Sequence, residues 1–364
     1  MRKLSRDKKE YEIRRNLRLR RRIKKSKKYS SNSVKKRFPT HIQIAAPYSF
    51  DISKEKPRSQ LLTFINQLRY TVLVKEKCAC INFSNTQKLD AGGTLLFVAE
   101  LSRIQYLSKR YEKQITIRCV PAAKRKVSQV LSRIGVYKRL RTPIKIGASL
   151  DEDVVHWRFA TGRGAVGEKY DEILGRYDGS IAPTLSHKLY VGLTEAMSNV
   201  HYHAHIEPRN DGLNIQLEDD TKDWWMFSQE RDGILLVVFC DLGIGIPGSL
   251  PKQHPTLWQS LLSLIGQNPL SDGHVIKEAT QVSVSRTGAS HRGRGLRQMV
   301  TAITGEFKGK VRIFSNKGLY TYDGQNELVD NFSTSILGTI IAWATPLGKD
   351  RDEGHHEQHY HQYR

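Results

Sequence analysis

Glu195 and Asn199 stand four residues apart in Glu195-Ala-Met-Ser-Asn199. On a helix that spacing puts both side chains on one face, with His203 one turn further. A carboxylate and an amide on a shared face can act as general base and metal ligand. An asparagine inside a helix is otherwise a poor choice, because its amide competes for backbone hydrogen bonds. A second stretch, Asp241-Leu-Gly243-Ile-Gly245-Ile-Pro247, follows an apolar run. Its glycines let backbone approach a ligand closely, and its carboxylate can accept from an exocyclic amine. A third, Arg292-Gly293-Arg294-Gly295-Leu296, opens a helical pattern whose free N–H groups can hold phosphates. Each alone has an ordinary reading: a solvated helix face, a turn, a loop that touches nucleic acid.

The elements that must position these stretches follow from periodicity. A long helix is predicted over about 182–204, with Leu185, Leu189, Val191, Gly192, Ala196 and Val200 on one stripe. Strands are predicted at 154–160, 213–217 and 234–239, the last running directly into Asp241. Residues 246–292 form a long connection with helical pieces at 257–265 and 274–280, a length that suggests a functional lid. A helix over 296–303 and strands at 310–315 and 339–345 close the segment. Trp224-Trp225 reads as core or hairpin packing between strands.

In this order and on these elements, the three stretches resemble the N-box, G1 box and G2 box of the GHKL ATPase superfamily of gyrase, histidine kinases and the mismatch-repair ATPase. The resemblance covers about 150–348, including Gly338-Thr339 on the closing strand. It implies an α/β two-layer sandwich of the Bergerat type that binds ATP and Mg²⁺. Asp241 would bind the adenine amino group with Thr339 nearby, Gly243, Gly245, Gly293, Gly295 and Leu296 would line the nucleotide, Asn199 would ligate Mg²⁺, and Glu195 would be the general base. The implied activities are slow ATP hydrolysis or serine-directed phosphoryl transfer in a signalling protein. The lid sequence Ser283-Val-Ser285-Arg-Thr287-Gly resembles the short-lid, kinase-like branch. No helix pair with a phosphoacceptor histidine precedes the segment, and His187 and His201 fall within its own helix region, which argues against an orthodox histidine kinase.

Residues 41–145 read as strands alternating with helices, an α/β layer. Ala79–Phe83 alternates with period two, and Gln114–Val120 is a further strand. Asp90 is placed to cap a helix bearing Leu95, Leu96, Val98, Ala99, Leu101 and Ile104, and Val127, Val130, Leu131 and Ile134 line another. Ile81-Asn-Phe-Ser-Asn followed by Leu89-Asp90-Ala91-Gly92-Gly93-Thr94 resembles the strand–loop–helix of STAS domains, the anti-anti-sigma-factor fold. In regulated members a phosphorylatable serine follows that aspartate. Here Ala91 has no hydroxyl, so any phosphoryl acceptor would be another protein.

Charge divides the chain of 364 residues unevenly. Residues 1–40 hold 18 Lys/Arg against Asp7, Glu10 and Glu12, so this arm carries +15 of the net +23. The arm could neutralise nucleic-acid phosphates in a salt-dependent way, or meet an acidic protein or an anionic surface. Its two tyrosines, Tyr11 and Tyr29, offer little for base stacking. The alternative function is therefore nucleic-acid binding by the arm (1–38), with the ATP fold structural or degenerate. No apolar run is long enough to span a bilayer and no apolar leader is present. Cys78, Cys80, Cys119 and Cys240 form no CxxC pair, so reduced thiols and a cytoplasmic location are expected. Gly162-Arg-Gly164-Ala-Val-Gly167 matches a dinucleotide-binding pattern, but the chain after it runs into the Glu195 helix and not into the second strand such a site needs. No Walker-type P-loop occurs. The tail 349–364, with His355, His356, His359 and His361, reads as loose and solvated.

Overall fold

Asp90 ends a short extended stretch, and its carboxylate accepts from the N–H groups of Gly92 (3.0 Å) and Gly93 (3.3 Å). This is the cap its position predicted, and it starts the helix Ala91–Arg110 (α2) around which the fold is built. The computed structural model describes residues 41–111, 115–142, 144, 150–151, 154, 157–164, 190, 192–194, 196–213, 222–253, 255–265, 270–281, 295–306 and 308–347. The basic arm, the histidine tail, Glu195, Gly167, Gly293 and residues 214–217 of the strand expected at 213–217 lie outside them.

The first segment holds strands β1 (Ile42–Ala45), β2 (Ser49–Phe50), β3 (Ala79–Asn82), β4 (Lys88–Leu89) and β5 (Ile117–Val120). Parallel ladders join β1 to β3 and β3 to β5, while β2 pairs with β4. Helix α1 (Glu55–Arg69) continues through a wider π-type turn, Tyr70–Val74, and α3 (Arg125–Arg133) and α4 (Val136–Arg139) follow β5. Parallel strands require crossovers, and α1 and α2 supply them.

The second segment is an antiparallel sheet of seven strands in the order β11-β10-β9-β12-β8-β7-β6. They are β6 (Arg158–Arg163), β7 (Asp223–Arg231), β8 (Ile234–Asp241), β9 (Lys310–Ser315), β10 (Gly318–Tyr322), β11 (Glu327–Asn331) and β12 (Thr339–Pro346). On one face lie helical residues 192–194 and 196–204, α7 (Asp272–Gln281) and α8 (Gly295–Thr301, continued by π-type turns to Glu306), around Leu193, Met197, Val237, Phe239, Met299 and Trp343. Helices α5 (Gly245–Gln253) and α6 (Pro255–Ile265) lead from β8 towards α7.

The other face is covered as well. Helix α2 lies against β7, β8 and β12, and 15 of its residues are buried, more than one amphipathic stripe would need. Phe97 packs edge-on against Phe50 (5.3 Å) and Phe83 (5.8 Å) in the first segment. Residues from Ile44 to Ile340 thus share one hydrophobic cluster, and the chain from His41 onward is one compact unit. The α/β class holds, and the expected two layers gain a third on the sheet's far face. A strand apolar on both sides, such as Leu235-Leu-Val-Val-Phe239, fits that position.

Two expectations shift. The strand expected from Val154 starts at Arg158, because Val154 closes a tight turn: its N–H donates to the Asp151 carbonyl and its carbonyl accepts from Trp157. Trp224 and Trp225 lie within β7, one on each face of the sheet, both buried. Among the described residues no helix is long and apolar enough to cross a membrane. Cys78, Cys119 and Cys240 are buried, Cys80 is partly so, and all four are free thiols.

Candidate functional site

Strand β8 delivers Asp241 to the end of the sheet, directly opposite Trp224 on β7 and Thr339 on β12. The carboxylate is buried, at 7% exposure. Burial pushes its pKa up to about 6, against hydrogen bonds from Gly243 and Thr339 and the charge of Arg209. The Gly243 N–H donates to Asp241 Oδ1 at 2.8 Å. A buried acceptor of this kind, beside a hydroxyl, suits a ligand that brings an N–H donor.

The turn after Asp241 is fixed by close backbone approach. A Cβ on Gly243 would stand 2.2 Å from the Ala204 carbonyl oxygen, closer than any carbon can pack. That same carbonyl accepts from the Ile244 N–H at 2.8 Å. Gly245 has φ +76, a left-handed conformation for which glycine is suited. The turn is thereby docked on the end of the helical segment that carries Asn199. Asn199 is half-buried on that segment, next to the buried residues Met197 and Val200.

A second line of hydrogen bonds joins the turn to β9 and β12. Ser315 Oγ accepts from the Ile246 N–H (2.8 Å) and lies 3.0 Å from Thr339 Oγ1. The Asn316 side-chain amide donates to the Ile244 carbonyl at 2.8 Å. Asp241, Gly243, Gly245 and Thr339 are therefore brought together. Gly295 starts α8, and Leu296 packs against the sheet-face cluster containing Met299. Glu195 and Gly293 lie outside the described residues. Ser315, Asn316 and Arg209 were missed by sequence reasoning, since a serine, an asparagine at a turn and a loop arginine carry no local signature of such a role.

The donor set suits the group that the resemblance implies. Asp241 and Thr339 offer a carboxylate and a hydroxyl to a base, and Asn199 offers a hard amide oxygen to Mg²⁺. Among the described residues no cluster of three or more His, Cys, Asp or Glu side chains is placed to hold a metal ion by itself. An open groove of about 1170 Å³ borders β10, β11 and residues Thr301, Thr304, Lys308 and Lys310. It includes none of Asp241, Gly243 and Thr339, so it is separate from this site.

Gly162 within β6 and Gly164 just after it have a packing explanation. A Cβ at Gly162 would meet the Trp224 ring at 2.6 Å, and Trp224 Nε1 donates to the Gly164 carbonyl at 2.9 Å. These two glycines seat a tryptophan. No model of a known protein family matches the chain, and no curated protein matches it either.

Proposed function

We propose that residues 150–348 form a nucleotide-binding module of the GHKL type, which takes Mg²⁺·ATP at the end of β8 and serves a regulatory or signalling role. One observation carries the reading: a buried carboxylate, Asp241, pairs in register with Thr339, and its glycine turn rests on the helix bearing Asn199. Asp241 would accept from the adenine amino group, with Thr339 beside it. Asn199 would hold Mg²⁺, whose charge neutralises phosphate oxygens. Gly293, Gly295 and Leu296 would border the phosphates, and Glu195 would orient and deprotonate an attacking water or hydroxyl.

Residues 41–145 are proposed as a STAS-like layer that regulates this module. Ala91 is both without a hydroxyl and buried at 6% exposure, so an in-chain phosphoryl acceptor is missing at that position. The acceptor of any phosphoryl transfer would be a second protein. The basic arm, residues 1–38, is proposed as a separate contact for a polyanion or acidic partner.

Isothermal calorimetry of the full chain with Mg²⁺·ATP tests the reading. Saturable binding is expected, and Asp241→Asn should remove it. Glu195→Ala should keep the binding and lose phosphate release or transfer. Absence of binding by the wild-type chain would overturn the proposal.

A further inference from the structure

One buried arginine joins the first segment to Asn316, whose side chain bonds the turn after Asp241. Arg58, near the start of α1, is 0% exposed. Its guanidinium donates to three carbonyls from three separate stretches: Ile52 (3.1 Å), Thr334 (3.2 Å) and Asn316 (2.7 Å). Its plane also lies 4.1 Å from the centre of the Phe332 ring. A rigid planar fork with five donors can satisfy such a set at once, whereas a lysine ammonium has three donors at one point. Burial lowers the Arg58 pKa to about 10 against the pull of Glu55, so the group stays charged at neutral pH.

Asn316 passes that hold onward. It sits in the β9–β10 turn with φ +50, a conformation that asparagine tolerates better than most residues. Its own N–H donates to the Gly338 carbonyl (3.1 Å), next to Thr339. Its side-chain amide donates to the Ile244 carbonyl, and a Cβ on Gly245 would stand 2.7 Å from that nitrogen. The Asn316 carbonyl therefore accepts from Arg58 of the first segment and from the Ile336 N–H (3.0 Å), while its side chain holds the turn.

We infer that Arg58 and Asn316 are positioning residues for the Gly243–Ile246 turn, through which the 41–145 layer sets the affinity of the nucleotide site. The inference rests on the nucleotide reading above for its ligand, although the mechanical link is independent of any ligand. A partner that shifts α1 would alter ATP affinity without touching ATP.

Full-length Asn316→Asp and Arg58→Lys test this. Asn316→Asp keeps size and left-handed tolerance but replaces the donor facing the Ile244 carbonyl with an acceptor. Arg58→Lys keeps the charge and loses the fork. In the ligand-free protein, amide hydrogen exchange at Ile244 and Ile246 should quicken about fivefold or more, the effect of one lost hydrogen bond. Exchange within α2, from Leu95 to Ile104, should be unchanged; a merely structural loss would quicken both regions. The Kd for Mg²⁺·ATP should weaken by a similar factor. The double variant should be no weaker than the worse single one, since both cut one chain of contacts. Should Arg58→Lys fail to fold, Asn316→Asp alone decides. Unchanged exchange at Ile244 and Ile246 in Asn316→Asp, or losses that add in full, would overturn the inference. If the wild-type chain binds no ATP, the nucleotide reading falls, and the exchange experiment still judges the link.

Discussion

Asp241→Asn should stabilise the protein at neutral pH while removing its proposed ligand. Burial lifts the carboxyl pKa from 3.8 to about 6. Between those two values the folded chain keeps a proton that the unfolded chain has released. Wild-type stability therefore falls as pH rises from about 4 to about 6 and stays lowered above that. At about 1.4 kcal/mol per pH unit, this corresponds to about 3 kcal/mol at pH 8, an upper bound. Asparagine remains neutral throughout, and its Oδ1 can still accept from the Gly243 N–H. Asp90, whose pKa burial also raises to about 6, is present in both proteins and cancels. Urea unfolding of both full-length chains from pH 4 to pH 8 reads the effect. The two should coincide near pH 4, and the variant should gain up to about 3 kcal/mol by pH 8. A variant no more stable at pH 8, or a gap independent of pH, would refute the reasoning. A group kept at a cost to stability is a common mark of function.

Three further outcomes follow from other parts of the molecule. Glu100 on α2 is buried between Arg69 (2.8 Å) and Arg209; burial would raise its pKa, but Arg209, Arg69 and Arg103 outweigh that and hold it at about 2. Glu100→Gln should cost about 3–5 kcal/mol at pH 7 by leaving guanidiniums buried without their carboxylate. In denaturant titrations that wild-type advantage should fade as pH drops below about 4.5 towards 2. Gly243→Ala should destabilise by about 1–3 kcal/mol, because its methyl meets the Ala204 backbone, and should abolish ATP binding in the same calorimetric assay. Deleting residues 1–38 should weaken retention on a polyanion column and flatten its salt dependence, leaving the ATP binding heat unchanged.

Much of the fold was legible where the signal was local. The Asp90 cap, the apolar stripe of α2, and strands β3, β8 and β12 all announce themselves within a dozen residues. Strand β7 did not, because Trp224 and Trp225 are buried on opposite faces and leave no alternation to read. Helix α5 contains Pro251, a residue that ordinarily argues against a helix interior. Strand β11 is largely exposed, so it lacks an apolar pattern. The site shows the same division. Asp241, Gly243, Gly245 and Thr339 lie in short motifs and meet as expected. Arg58 meets its Asn316 carbonyl 258 residues along the chain, and carbonyl oxygens have no residue type by which a sequence could betray them.

Helix α2 has one side against the first segment and the other against β7, β8 and β12, which gives synthesis of this chain a timetable. The cover for its second side is made late. At about 5–20 residues per second, the roughly 230 residues between the end of α2 and the start of β12 take about 10–50 seconds to translate. Throughout that interval the apolar residues of α2 that later face the sheet, on a helix that also bears Glu100 and Arg103, lack that cover. Nascent chains stalled at increasing lengths should stay open to protease cleavage around residues 101–107 until β12 has emerged, and protection of chains ending before β12 would contradict this order of events.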